Sequence, residues 1–175
     1  PMPHNMIVTC MAVVIKADGL DEWADGLPDE KDWKELDKAQ IVERIKQAGV
    51  VGCGGATFPA HVKLAPNKPV DTFIVNAAEC EPYLTCDYRL MLEEADKLVT
   101  GVQSCMKALG VSKGYIGIED NKPEAVSKLK EAFKNVPEVS VEALPTKYPQ
   151  GAEKMLIKAV TDREVQPGGL PMDVG

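Results

Sequence analysis

The stretch "DTFIVNAAECEPYLTCDYRLMLEEADKLVTGVQSCMKALGVSKGYIGIED", residues 71–120, contains three segments of different periodicity. Asp71–Ala77 is a short apolar run typical of a buried strand, and "KGYIGIED", residues 113–120, is a second one. Between them the apolar positions of Arg89–Leu109 recur at helical spacing, and Gly110 stands where such a helix ends. A strand, a helix and a second strand in this order predict a βαβ unit with parallel strands.

The same alternation extends to both sides of this unit. Further helices are predicted over residues 37–49, 58–64, 122–135 and 151–162, and a further strand over residues 139–144. We therefore predict the α/β fold class, with a Rossmann-like parallel sheet, flanking helices and right-handed crossovers. Upstream, the β-branched run Met6–Ala17 predicts a strand that has no evident hairpin partner in the sequence and looks like the end of an earlier unit.

Composition excludes several classes of function. The 175 residues are 45% hydrophobic and 27% charged, which is ordinary for a globular chain. A net charge of -7 argues against nucleic acid as a partner. No run approaches the ~18 apolar residues of a membrane span, so we expect no direct span and attachment to a membrane only through a partner. The five cysteines include no C-x-x-C pair, and we expect free thiols in a reducing compartment: Cys10, Cys53, Cys80, Cys86 and Cys105.

Polar segments follow each of the three main predicted strands. They are "NAAECEPYLTCDYR" at 76–89, "EDNKPEA" at 119–125 and "PTKYPQGAEK" at 145–154. Ligands of open parallel sheets collect at the carboxyl ends of the strands. The sequence therefore predicts a binding site at this edge.

The glycine-rich loop in "GVVGCGGATFPAHVKL", residues 49–64, is a second candidate for ligand binding. Glycine lets a backbone approach a ligand closely, and N–H groups at a helix start bind phosphate. A helix C-cap followed by a turn explains the same glycines equally well. Likewise, Glu79 and Glu81 fit helix-start carboxylates, Phe58 fits a core residue and Lys63 fits a solvated lysine.

Five segments together resemble one family: "GCGGATFPAHVKL", "NAAECEPYLTCDYRLM", "IGIEDNKPEA", "LPTKYPQGAEKMLI" and "REVQPGGLPMDVG". From about Gly49 onward the chain resembles RnfC, a cytoplasmic subunit of the Rnf ferredoxin:NAD oxidoreductase complex. That family is similar to the flavoprotein subunit of respiratory complex I, which has a comparable G-x-G-G-A-x-F-P loop and an N-A-x-E-x-E-P segment. The resemblance implies an FMN-binding domain of the complex I flavoprotein-subunit type.

A site for FMN and NAD(H) is implied by the same resemblance. The glycine loop would approach a cofactor phosphate, Lys63 would supply a positive charge and Phe58 a stacking face. Asn76 would hydrogen-bond the flavin, and Glu79 and Glu81 would orient the nicotinamide. No catalytic acid–base residue and no metal ligand are expected. The implied cofactor-binding residues are Gly52, Gly54, Gly55, Phe58, Lys63, Asn76, Glu79, Glu81, Gly151 and Glu153.

The implied function is electron transfer between ferredoxin-linked iron–sulfur clusters, FMN and NAD in an ion-translocating membrane complex. The chain would work with other Rnf subunits, peripherally on the cytoplasmic side of the membrane. By this resemblance residues 1–20 are the tail strand of an upstream sandwich domain, and residues 21–175 are an FMN/NADH-binding domain truncated at its C-terminal end. The 4Fe-4S clusters are expected in the full-length subunit but not in this segment, which alone we expect to be inactive.

Departures from the complex I pattern keep alternatives open. Ala78 stands where complex I has aspartate, and Ala152 where it has the first of two glutamates. The alternatives are a complex I-like NADH dehydrogenase flavoprotein subunit and a scaffold module without a cofactor. A plain Rossmann dehydrogenase is disfavoured, because the glycine motif of that fold follows a strand, whereas the glycine loop of this chain lies between two predicted helices.

Overall fold

The computed structural model describes residues 2–3, 9–25, 32–53 and 57–175. Its strands are β1 (Met2–Pro3), β2 (Thr9–Cys10), β3 (Phe73–Ala77), β4 (Gly114–Glu119) and β5 (Val139–Leu144). Its α-helices are α1 (Lys38–Gln47), α2 (Ala60–Lys63), α3 (Cys86–Glu93), α4 (Ala95–Leu109), α5 (Pro123–Ala132) and α6 (Glu153–Thr161). Two short 3-10 helices cover Trp33–Glu35 and Pro171–Val174. Among these described elements, no helix is long and apolar enough to cross a membrane.

The main sheet confirms the predicted fold class. Its three parallel strands lie in the order β3-β4-β5, in a register that pairs Asn76 with Gly117 and Glu119 with Leu144. The carboxyl ends of all three strands therefore meet at one edge, as parallel pairing requires.

Helices cover both faces of this sheet. Ile116 and Ile118 of β4 are buried with residues of α4 and α5 in the main core. Gly117, which lies between them, faces the opposite way, and a Cβ built on it would meet Leu156 of α6 at 2.6 Å. Hence α4 and α5 cover one face and α6 covers the other.

Helix ends agree with the sequence signals. Asp37 caps α1 through Gln40 in a reciprocal capping box, and Gly49 follows the helix with a left-handed φ of 65°. Gly110 ends α4 in the same left-handed conformation. The single helix predicted over Arg89–Leu109 is two helices, because the backbone leaves the helical region at Glu94.

The strand predicted over Met6–Ala17 is wrong for most of its length. Residues 6–8 lie outside the described residues, and Thr9–Cys10 pairs with Met2–Pro3 in a two-residue antiparallel ladder. Residues 11–17 have no regular structure, and Met11 and Ile15 are 89% and 83% exposed. A strand needs a neighbour for its backbone hydrogen bonds, and within the described part of the chain none pairs with this segment.

Candidate functional site

A cleft of about 490 Å³ lies at the carboxyl edge of the sheet. The three loops that follow β3, β4 and β5 all contribute to its lining. The predicted convergence of polar strand exits is therefore confirmed. Its charged and aromatic lining side chains are Glu79, Glu81, Tyr83, Tyr88, Glu119, Lys122, Lys147 and Tyr148.

The loop after β3 contains two backbone conformations that are unusual for non-glycine residues. Glu79 has φ 48° and Tyr83 has φ 68°. The Glu79 carboxylate accepts hydrogen bonds from the backbone N–H groups of Asp87 (2.7 Å) and Tyr88 (3.1 Å). Glu79 therefore stabilises the start of α3, as one of its two sequence interpretations predicted. Glu81 is exposed at the cleft.

Sequence reasoning missed a buried ion pair at the cleft. The side chains of Glu119 and Lys122 are only 2% and 11% exposed, and Glu119 Oε2 lies 3.5 Å from Lys122 Nζ. Lys122 also donates to the carbonyl of Ala78 at 3.0 Å. The available signal was a carboxylate at the end of an apolar strand, a position where burial of a charge requires a partner.

The loop after β5 is attached to both neighbouring loops. The Asp120 carboxylate accepts hydrogen bonds from the backbone N–H (3.0 Å) and hydroxyl (2.6 Å) of Thr146, which lower the pKa of Asp120. The Asn76 side-chain amide donates to the carbonyl of Gly151 at 2.7 Å, and the Gly151 N–H donates to Cys80 Sγ at 3.2 Å. Gly151 therefore lies at the junction of the loops after β3 and β5.

A larger cavity, of about 850 Å³, lies between β3, α2, α6 and the Pro171–Val174 turn. Four of the predicted site residues line it: Phe58, Lys63, Asn76 and Glu153. Phe58 is 44% exposed, so it is not a core residue, and Lys63 Nζ lies 5.9 Å from the centre of its ring. Leu156 and Ile157 of α6 contribute apolar wall.

Two cations line this cavity, and they differ in availability. Arg163 is held by Asp71 through contacts of 2.7 and 3.0 Å, which lower the pKa of Asp71 and raise that of Arg163. Lys63 makes no ion pair with the residues that the structure describes. An anionic group entering the cavity would therefore find its free positive charge at Lys63.

The residues on the two sides of the glycine loop pair with each other through an antiparallel bridge between Val51 and Pro59. The Gly52 N–H donates to Phe58 O at 2.9 Å, and the Ala60 N–H donates to Val50 O at 3.0 Å. The N–H of Gly52 is thus engaged within the loop. Gly54 and Gly55, the other two glycines of the implied site, lie outside the described residues.

The predicted site residues are therefore divided between two neighbouring spaces. Phe58, Lys63, Asn76 and Glu153 lie around the larger cavity, and Glu79 and Glu81 lie around the cleft. Gly151 connects the two through Asn76 and Cys80.

The donor set of the larger cavity fits the flavin mononucleotide that the resemblance implies. Apolar walls suit a flavin ring, the Asn76 amide and the Glu153 carboxylate suit its polar rim, and Lys63 suits a phosphate. Oε1 of Gln150, the residue before Gly151, is buried (1% exposed) and lacks a partner among the described residues, but Gln150 does not line this cavity. Cavity size falls within the ~300–1,000 Å³ typical of cofactor sites.

The cysteines whose side chains are described are free thiols: Cys53, Cys80, Cys86 and Cys105. Burial raises the pKa of the Cys105 thiol. Glu79, Cys86 and Asp87 place ligand-type atoms within 4.8 Å of one another. Both carboxylate oxygens of Glu79 are already engaged by N–H donors at the start of α3.

Comparison with known proteins agrees with this geometry. The chain is 59% identical over 175 residues to a component of the proton-translocating ferredoxin:NAD(+) oxidoreductase complex of Clostridium ljungdahlii, covering 99% of this chain and 38% of that protein. It is 49% identical over 175 residues to the Na(+)-translocating counterpart from Acetobacterium woodii, covering 99% of this chain and 40% of that protein. The chain thus spans about two fifths of these curated relatives.

A solved structure extends the comparison to the fold. The NAD+-reducing NiFe-hydrogenase in its air-oxidised state matches with a TM-score of 0.65 at 26% identity, over 75% of this chain and 26% of that chain. Residues 45–175 match the family model of the Nuo51 FMN-binding domain. On this match the chain belongs to the Nuo51 FMN-binding domain family.

Proposed function

We propose that the chain is the FMN- and NAD(H)-binding part of a subunit of an Rnf-type ferredoxin:NAD oxidoreductase complex. The observation that carries this proposal is the 59% identity, over 175 residues, to a component of a proton-translocating complex of that name. The division of polar side chains between a larger cavity and a neighbouring cleft supports two adjacent ligands.

The larger cavity is the proposed flavin site. Lys63 would attract the phosphate, Asn76 and Glu153 would hydrogen-bond the ring, and Phe58 would cover an apolar face. Gly52, Gly54 and Gly55 would let the loop approach FMN with no side chain in between. A Cβ on Gly52 would meet no other protein atom closer than 3.8 Å, so packing within the protein does not itself require glycine there. Bound FMN supplies the chemistry that exchanges a hydride with nicotinamide and single electrons with iron–sulfur clusters.

The cleft is the proposed approach for the nicotinamide nucleotide. Glu81 is exposed there and would accept a hydrogen bond from the nicotinamide, whereas Glu79 holds the loop through the start of α3. Gly151 would let the loops after β3 and β5 pack closely between the two spaces, because a Cβ there would lie 3.2 Å from Cys80 Sγ. The protein's role is to orient the two ring systems; it moves no proton of its own.

In the complete subunit we propose 4Fe-4S clusters bound outside this segment, which would connect the flavin to a ferredoxin-linked donor. Other Rnf subunits would couple electron transfer to ion movement, and this chain would sit peripherally on the cytoplasmic side. Residues 21–175 would then be one module, preceded by the tail of a sandwich domain within residues 1–20. Alone, this module would not transfer electrons from ferredoxin to NAD.

An FMN titration of the 175-residue segment and of the full-length subunit tests the proposal. We expect quenching of flavin fluorescence by the full-length subunit and bleaching of the flavin absorbance on addition of NADH. Lys63→Met should weaken FMN binding by about 10- to 150-fold, since a charge-assisted contact is worth roughly 1.5–3 kcal/mol. Lys128→Met, on the exposed part of α5, is the matched control. A full-length subunit that binds no FMN would favour the scaffold alternative.

A complex I-like role is the second candidate, favoured by the match of residues 45–175 to the Nuo51 FMN-binding domain of the complex I 51K family. Both roles need the same exchange between NADH and FMN, so only the electron partner separates them. NADH oxidation by the purified complex that depends on ferredoxin supports the Rnf-type role. Oxidation that ignores ferredoxin and proceeds with a quinone supports the second.

A further inference from the structure

We infer that Glu119 and Lys122 form a clamp that positions the loop carrying Glu79 and Glu81 for the nicotinamide nucleotide. This inference rests on the proposed function and names two residues that it did not assign. Both are positioning residues, because their contacts in the structure are with the protein's own loops.

The clamp joins three loops at one point. Glu119 is the last residue of β4, and Lys122 lies three residues later, just before α5. Lys122 Nζ donates to the carbonyls of Ala78 (3.0 Å) and Glu79 (3.4 Å) in the loop after β3. Glu119 Oε1 accepts from the backbone N–H of Lys147 (3.2 Å) in the loop after β5. One ion pair thus connects the segments that follow all three parallel strands.

The hydrogen-bonding capacity of Lys122 is fully used. Its ammonium contacts Asn121 Oδ1 at 3.2 Å as well as the two carbonyls, and Glu119 Oε2 lies 3.5 Å away. An ammonium group has three protons, so the observed oxygens account for them. Such a buried, satisfied network fixes one arrangement of the loops, whereas loss of one partner leaves the other charge buried and unpaired.

The clamp contacts the loop after β3 at Glu79, where the backbone has an unusual conformation. Glu79 has a left-handed φ of 48°, and the carbonyls on both sides of this turn, those of Ala78 and Glu79, face the same ammonium. From this fixed turn the Glu79 carboxylate reaches Asp87 and Tyr88. Two residues further on, Glu81 faces the cleft. Release of the two carbonyls would therefore move the carboxylate that faces the nucleotide.

Hydrogen–deuterium exchange on the FMN-free, full-length subunit tests the clamp without any activity measurement. The variants are Lys122→Met, the charge-neutral double variant Glu119→Gln/Lys122→Met, Lys122→Arg and the control Lys128→Met. We expect at least tenfold faster exchange at the amides of Asp87, Tyr88 and Lys147 in Lys122→Met, with little change in α4. The double variant, which leaves no unpaired carboxylate, should fold while keeping the faster exchange.

Kinetics on the FMN-loaded subunit separate positioning from a purely structural role. Lys122→Met should raise the NADH concentration for half-maximal flavin reduction about tenfold, with FMN content unchanged, and Lys122→Arg should recover part of this loss. Faster exchange with unchanged NADH dependence in both Lys122→Met and the double variant would overturn the inference. So would unchanged exchange in Lys122→Met. If NADH fails to reduce the FMN of the unmodified subunit, the proposed function fails instead.

Discussion

Asn76, the fourth residue of β3, donates its side-chain amide to the carbonyl of Gly151, the second residue before α6, at 2.7 Å. The side-chain oxygen of Asn76, Oδ1, accepts a hydrogen bond from the backbone N–H of Ala78 at 3.4 Å. One exposed side chain at the end of a strand therefore joins its own loop to the loop after β5. Since Asn76 also lines the larger cavity, this link ties the wall of that cavity to the loop after β5.

Asn76→Ala should weaken FMN binding by the full-length subunit about five- to tenfold. The substitution removes the hydrogen bond that we propose between the Asn76 side chain and the flavin ring. Such a bond is worth about 1 kcal/mol, and a factor of ten in affinity corresponds to about 1.4 kcal/mol. Fluorescence titration measures the change, with Asn135→Ala in the exposed turn after α5 as the control. Equal affinity in both variants would remove Asn76 from the flavin site.

Substitution by alanine should change the free energy of unfolding in opposite directions at two glycines. A Cβ on Gly117 would lie 2.6 Å from Leu156 Cδ1 and 3.1 Å from Leu144 Cδ1, so Gly117→Ala should destabilise the domain by about 1–3 kcal/mol. Gly101 lies in α4 with nothing within 4 Å of its added Cβ, so Gly101→Ala should stabilise by about 0.5–1 kcal/mol. Urea unfolding followed by circular dichroism measures both. Destabilisation by Gly101→Ala would contradict the open space around it.

Local sequence signals predicted most elements of the main domain. The helical spacing of residues 37–49, the helix-ending Gly110 and the apolar run of β5 act over a few residues, so their outcome depends little on the rest of the fold. Parallel pairing then follows from the alternation of strands and helices. The edge where the site lies was therefore predictable from the order of elements alone.

The parts that sequence reasoning missed depend on contacts between distant residues. The apolar pattern of Met11–Ile15 suggested a strand, but a strand forms only where another backbone accepts its hydrogen bonds. The division of the predicted site residues between a cavity and a cleft likewise depends on tertiary contacts. Nothing in the order of residues places Asn76 beside Gly151, or Lys122 against the carbonyl of Ala78.

Acid should weaken the domain partly through Asp71. The Arg163 guanidinium lowers the pKa of Asp71 in the folded protein, so this contribution to stability is present above the unfolded pKa of about 3.9 and disappears as the pH falls through the lower, folded value. Asp71→Asn removes the contribution at every pH. Urea midpoints measured between about pH 2 and pH 7 should therefore show a gap between the two proteins that closes at the acidic end. A constant gap would mean that the pair does not titrate as described.

The two glutamates after β3 should separate stability from nucleotide recognition. Glu79→Gln weakens the charge-assisted contacts with the N–H groups of Asp87 and Tyr88, and should cost about 1 kcal/mol of folding stability. Glu81 is exposed, and Glu81→Gln should change stability by less than about 0.5 kcal/mol. It should nevertheless slow NADH reduction of bound FMN more than it weakens FMN retention, because its carboxylate faces the cleft rather than the larger cavity. Thermal melts, bound-flavin content and stopped-flow reduction of the two full-length variants give the three quantities. Equal losses of FMN retention and NADH reduction in Glu81→Gln would exclude an orienting role for Glu81.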